Sequence, residues 1–76
     1  MKYFCVKDEE VVVEGPLEVC EFYKTNHDDV VVIPEKVVYK VGTKEPEEFS
    51  YGVWNLQETY KRDGDTFELY KFGGFM

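Results

Sequence analysis

Residues 53–72, V-W-N-L-Q-E-T-Y-K-R-D-G-D-T-F-E-L-Y-K-F, read as two strands joined at Asp63-Gly64. An Asp-Gly pair flanked by alternating apolar residues is the strongest short-range hairpin signal, because a type I′ turn needs positive φ at both central positions. Pairing Arg62 with Asp65 sets Tyr60 against Phe67, Glu58 against Leu69, Leu56 against Lys71 and Trp54 against Gly73. One face then carries Trp54, Leu56, Tyr60, Phe67 and Leu69, the expected core. The other carries Asn55, Gln57, Thr59, Glu68, Tyr70 and Phe72, where aromatics beside amides suit a contact with a partner.

Just upstream the apolar phase changes. Phe49, Tyr51 and Val53 are apolar at odd positions, Trp54, Leu56 and Tyr60 at even ones. A strand has a strict period of two, so one face cannot collect both sets without an inserted residue. The pattern predicts a strand carrying a bulge or bend near Gly52-Val53-Trp54, since glycine within a strand often marks one.

Working outward to the N-terminus, residues 2–6 are a short β-type run and Val11-Val12-Val13 a β-branched one, joined by the charged connection Lys7-Asp8-Glu9-Glu10. Gly15-Pro16 stops the second strand and opens a helix over residues 16–25, with Pro16 at the first helical position. Val19, Cys20 and Tyr23 form its apolar face, with Leu17 and Phe22 at the edges, and Asn26 is the expected left-handed cap. Residues 30–33 form an apolar run suited to a strand buried on both faces, ended by Pro34. Val37, Tyr39 and Val41 alternate with Lys36 and Lys40 as a half-exposed strand, and residues 42–48 form a polar loop.

The expected fold is therefore α+β: one domain spanning residues 1–76, in the order β-β-α-β-β-β. Its antiparallel sheet has five strands if residues 30–41 make one bent strand and six if they make two, with the helix packed on one face. Seventy-six residues leave no room for a second core, and the thirteen aromatics supply the burial that a small chain needs.

Sixteen acids against nine bases give a net charge of −7. The excess belongs to the N-terminal two-thirds, and it disfavours direct nucleic-acid binding, which needs a basic patch. The natural complement is a protein with a basic surface. The acidic candidates for that contact are Asp8, Glu9, Glu10, Glu14, Glu18, Glu21, Asp28 and Asp29. The hairpin candidates are Asn55, Gln57, Tyr70 and Phe72.

Catalytic signals are poor. His27-Asp28-Asp29 could gather a metal, but adjacent carboxylates on an extended loop point apart, and a plain connection is the expectation. Ser50 is the sole serine and has no basic partner nearby, and Gly73-Gly74 precedes no helix that could cradle a phosphate. Eleven glutamates would need a deep cleft to raise a carboxyl pKa, which a small sheet does not offer. Neither an enzyme nor a cofactor or metal site is expected. Cys5 and Cys20 have no metal-type spacing; they are expected as buried thiols, or as one bridge in an oxidising compartment, which no secretory signal suggests. No apolar run approaches the length of a membrane span.

The layout of two strands, a helix and a C-terminal hairpin, with Trp54, Tyr60-Lys61 and the Asp63-Gly64 turn, resembles small phage-encoded inhibitors such as anti-CRISPR proteins. The resemblance covers the general architecture and residues 53–72, and it carries no specific motif. It implies a non-enzymatic protein that occupies a site on a larger, nucleic-acid-handling complex in the host cytoplasm. The acidic balance departs from those inhibitors that use basic faces. Two uses of the surface follow: acidic groove-blocking, or a module docking through the aromatic hairpin face, with a homodimer through that same face as a variant.

Overall fold

The structure, a computed structural model, describes residues 1–75. The fold is α+β, and the chain divides into two compact units, Met1–Glu35 and Lys36–Met76.

In the first unit, β1 (Tyr3–Lys7) is the central strand of an antiparallel sheet ordered β2 (Glu10–Gly15), β1, β3 (Val31–Pro34). The β1–β2 link is a two-residue turn with positive φ at both Asp8 (51°) and Glu9 (62°), the backbone of a type I′ hairpin. Register runs Phe4↔Glu14 and Cys5↔Val13, then Val6↔Val11, so Val12 is an extra residue without a partner in the ladder. Helix α1 (Leu17–Asn26) follows β2. Pro16 is its N-cap in extended backbone, so the helix starts one position later than the sequence suggests, and the Pro16 carbonyl accepts from the amides of Val19 and Cys20. His27, not Asn26, is the C-cap. Cys5, Val6, Cys20, Val30 and Ile33 are the buried apolar side chains here. β3 is an edge strand with Val31 exposed, so the run 30–33 is not buried on both faces as a continuous apolar stretch suggests.

The second unit holds the order β4 (Lys36–Lys40), β6 (Asp65–Phe72), β5 (Trp54–Arg62), again antiparallel. The expected single sheet of five or six strands is thus two sheets of three. Its division falls between Pro34 and Lys36: the Glu35 amide still bonds the Lys2 carbonyl of the first sheet at 2.9 Å, whereas Lys36 already pairs with Lys71. One residue therefore carries the chain from one ladder to the other, and alternation along β3 and β4 cannot reveal which neighbour each strand takes.

The β5–β6 hairpin forms at Asp63 (φ 51°) and Gly64 (φ 84°) as the sequence predicts. Arg62↔Asp65, Tyr60↔Phe67 and Glu58↔Leu69 pair as expected, but Leu56 meets Tyr70 and Trp54 meets Phe72. The register shifts between Leu56 and Glu58, leaving Gln57 as the extra residue. The upstream phase change falls where a bend is expected: Gly52 is a bend and β5 starts only at Trp54, while Gln57 is a further irregularity that the pattern does not announce. Phe49 and Tyr51 are not in a strand at all; they belong to a 3-10 helix, Glu47–Tyr51.

Candidate interaction surface

Cross-strand partners share a face of a sheet, so register decides which side chains act together. In the second unit Trp54, Leu56, Tyr70 and Phe72 lie on one face with Val37 and Tyr39. Phe49, brought over that face by the 3-10 helix, meets the rings of Tyr70 at 4.9 Å, Trp54 at 5.7 Å and Tyr39 at 6.1 Å. Trp54 and Phe72 add an edge contact at 5.3 Å, Phe75 meets Phe72 at the same distance, and the Trp54 indole N–H donates to the Glu48 carbonyl at 2.9 Å. Offset and edge-on aromatic pairs of this kind are worth about 0.5–1.5 kcal/mol each beyond the area they bury.

This cluster changes the hairpin set. Phe72 is buried and Tyr70 half-buried beneath Phe49, and Asn55 pairs with Lys71 on the opposite face. Gln57 is the bulge residue, its side-chain amide donating to the Asn55 carbonyl at 3.3 Å. Asn55, Gln57, Tyr70 and Phe72 therefore do not form one exposed face, because the extra residue at 57 moves Trp54 and Leu56 to the side of Tyr70. Tyr60 and Phe67, stacked at 5.5 Å, lie on the other face with Leu69 and Val38. The face expected to be the core is split between the two sides.

The acidic set is treated differently. The first unit has nine acids and three lysines, a net of −6, while the second unit nearly balances at −1. Lys2 pairs with Glu14 at 3.4 Å and with Glu35 at 3.9 Å, and Lys7 pairs with Asp29 at 3.1 Å. Among the described residues, Asp8, Glu9, Glu10, Glu18, Glu21 and Asp28 make no ion pair, and all six are exposed.

Sheet register sorts these acids by position. Antiparallel pairing of Val6 with Val31 and of Lys7 with Glu10 puts the β1–β2 turn beside the start of β3. Asp8, Glu9, Glu10, Asp28 and Asp29 therefore gather at one end of the sheet, held there by the Lys7–Asp29 ion pair. Glu14 stands at the opposite end, where Tyr3 meets Gly15. Glu18 and Glu21, three residues apart, share the exposed face of α1 with Phe22, which is 74% exposed. Phe22 is thus not at the edge of the packed face, as its helical spacing suggests, but on the outside of the helix.

The Lys7–Asp29 hydrogen bond and charge hold the Asp29 carboxyl below its ordinary value and raise Lys7 above its own. His27 does not act with these acids as a ligand set. Its Nδ1–H donates to the Tyr23 carbonyl at 3.0 Å and its ring stacks on Tyr23 at 4.0 Å, closing the end of α1. No group of three or more metal-ligating side chains occurs among the described residues. An open hollow of about 400 Å³ is lined by Lys44, Glu45, Pro46, Glu47, Phe49 and Ser50, a single stretch of chain. No helix among the described residues is long and apolar enough to cross a membrane.

No family model, curated protein or solved structure matches this chain. The geometry and charge of its surfaces are accordingly what a functional reading stands on.

Sequence reasoning found the acids but missed what gathers five of them. The missing link is Lys7: once β1 and β3 pair with Val6 opposite Val31, Lys7 falls beside Asp29, and the two short links around it become neighbours.

Proposed function

We propose that this protein is a non-enzymatic, acidic protein-binding inhibitor of the nucleic-acid-mimic or anti-CRISPR kind, encoded by a phage or mobile element and acting in the host cytoplasm. Its first unit blocks a basic, nucleic-acid-binding surface of a host protein complex. The observation that carries this reading is the confinement of charge. Six of the seven net negative charges fall within residues 1–35, and six exposed carboxylates there have no ion-pair partner among the described residues. Unpaired surface carboxylates retain their field, and clustered charge of one sign accelerates encounter with a partner of opposite sign. Asp8, Glu9, Glu10, Asp28 and Asp29 form the centre of the contact, and Glu18 and Glu21 extend it; Glu14 is drawn into the Lys2 pair at the far end of the sheet.

The test is capture of a host protein on the immobilised chain at low and high salt, followed by competition of the captured protein against a labelled nucleic-acid duplex. Association that weakens steeply with salt, and displacement of the duplex, are expected. The triple variant Asp8→Lys, Glu9→Lys, Glu10→Lys should lose capture while its circular dichroism is unchanged. Salt-insensitive capture that survives charge reversal would overturn the reading.

Docking through the C-terminal hairpin, alone or as a homodimer, is the second reading, and one observation favours it on a different face from the one expected. Val38 is 52% exposed on the side that carries the Tyr60–Phe67 stack. Sedimentation at two concentrations, with Val38→Lys as control, separates self-association from a heterologous partner.

A further inference from the structure

Cys5 lies in β1 and Cys20 in α1, and neither side chain reaches solvent. Both are free thiols. The Cys5 thiol donates to the Cys20 carbonyl at 3.4 Å, which sets the Cys5 sulfur against the backbone of Cys20. Two buried cysteines can serve as small hydrophobes and nothing more. Here, however, two thiols from different elements share one small core with the Cys5 sulfur against the Cys20 backbone, and they are one two-electron oxidation from a covalent link.

We propose that Cys5 and Cys20 form a reversible redox clamp that fastens α1 to the central strand of its sheet. The oxidant is a small-molecule disulfide. One cysteine thiolate attacks a sulfur of that disulfide, forming a mixed disulfide and releasing one small thiolate. The other cysteine thiolate then attacks the protein sulfur of the mixed disulfide, closing the Sγ–Sγ bond and expelling the second small thiolate. The protein gives up two protons and two electrons, and the oxidant is reduced to two thiols. Burial and the neighbouring Cys5 thiol push the Cys20 thiol up to about 11. The resting pair is therefore protonated at Cys20 and unreactive until α1 lifts from β1. Closure accordingly runs on the scale of uncatalysed disulfide exchange, roughly minutes to hours, so the pair is a slow lock and not a fast sensor.

The clamp spans 15 positions of sequence. A link over such a segment removes conformational freedom from the unfolded chain, and closure is expected to raise the thermal midpoint by about 10 °C.

The experiment incubates the full-length reduced protein with glutathione disulfide and follows intact mass, non-reducing peptide mapping and thermal unfolding. A loss of two hydrogens, a cross-linked peptide joining Cys5 to Cys20, a raised midpoint and full reversal by dithiothreitol are expected. Cys5→Ala and Cys20→Ala should each give instead an unreacted thiol or a lasting glutathione adduct, with no rise. Should the native protein not react, the incubation is repeated at the urea midpoint, where opening is frequent; absence of the intramolecular bridge there overturns the proposal. A persistent mixed disulfide in the unsubstituted protein, covalent dimers in its place, or a bridge that leaves the midpoint unchanged or lower would overturn it equally. The acidic contact uses neither cysteine, so its test and this one succeed or fail separately.

Discussion

Glu9 occupies in the β1–β2 turn the position that Gly64 occupies in the β5–β6 turn, with φ of 62° against 84°. Both turns place an aspartate before it, Asp8 and Asp63, each at φ 51°. One hairpin thus uses the favoured Asp-Gly pair and the other sets a glutamate where a side chain is strained. Left-handed backbone costs an ordinary residue about 1–2 kcal/mol, while glycine's extra freedom in the unfolded chain offsets about 0.5–1 kcal/mol of the relief. Glu9→Gly should therefore stabilise the protein by about 0.5–1 kcal/mol in urea unfolding. Under the proposed function the same substitution weakens partner binding, since it removes a carboxylate from the tip of the acidic end.

The Lys7–Asp29 pair gives an acid-side prediction. Asp29 is held below its ordinary carboxyl value of 3.8 by the Lys7 hydrogen bond. A depressed folded-state value contributes stability above the unfolded-state value, and that contribution is lost as pH falls through the folded one. Lys7, raised above 10.5, contributes below its unfolded value and loses the contribution as pH climbs through the folded one. The pair thus stabilises the window between these limits, and its exposure makes the effect small and salt-sensitive. A carboxyl titration followed by NMR should place the Asp29 midpoint below 3.8, and Lys7→Ala should return it upward. An Asp29 midpoint indifferent to Lys7→Ala would refute the pairing.

Gly52 is where the C-terminal tail passes. A Cβ built there lies 2.6 Å from the Gly74 carbonyl oxygen and 2.9 Å from the Phe72 ring, and the Val53 amide bonds that same Gly74 carbonyl at 2.9 Å. Gly52→Ala must displace backbone and ring together, at an expected cost of about 2 kcal/mol. Hydrogen exchange at the amides of Val53 and Gly73 should quicken in the variant; unchanged protection would show that the tail yields freely.

Tyrosine ionisation reports on the aromatic cluster. Tyr70 is raised above its ordinary 10.0, first by burial and next by the hydrogen bond it donates to Glu68 at 3.1 Å; Tyr51 is raised by the charge of Glu47. A folded value above the unfolded one contributes stability at lower pH and loses it as pH rises through the folded value. Ultraviolet titration should therefore show a late-ionising fraction that Tyr70→Phe diminishes, and alkaline unfolding should begin as that fraction titrates. A single step at the ordinary value would contradict the packing of Phe49 over Tyr70.

Much of this architecture was legible in the residues, and the gaps have physical causes. Asp63-Gly64 fixed its hairpin because few backbones suit that pair, and Pro16 located the start of α1 to within one position. The division into two sheets was hidden because alternation at Val37 and Tyr39 states which side is apolar, not which strand lies alongside. Phe49 and Tyr51 mimic a strand through two apolar residues spaced by two, a pattern too short to distinguish from a 3-10 turn. At the acidic end, composition supplied the carboxylates, whereas their assembly required the Val6↔Val31 register that no local signal announces.

The unpaired residue at 57 has a consequence for how the hairpin can change through its gene. Ladder partners on both sides of Gln57 are already in sequence, Leu56 with Tyr70 and Glu58 with Leu69. Excising that one codon would close the ladder and leave the flanking pairs and their sides as they are. Excising a codon from 59 to 61 also leaves eight residues against eight, but it turns over the residues between Gln57 and the cut, Glu58 first. Length variation in this strand is thus tolerated at one place and punished two residues away.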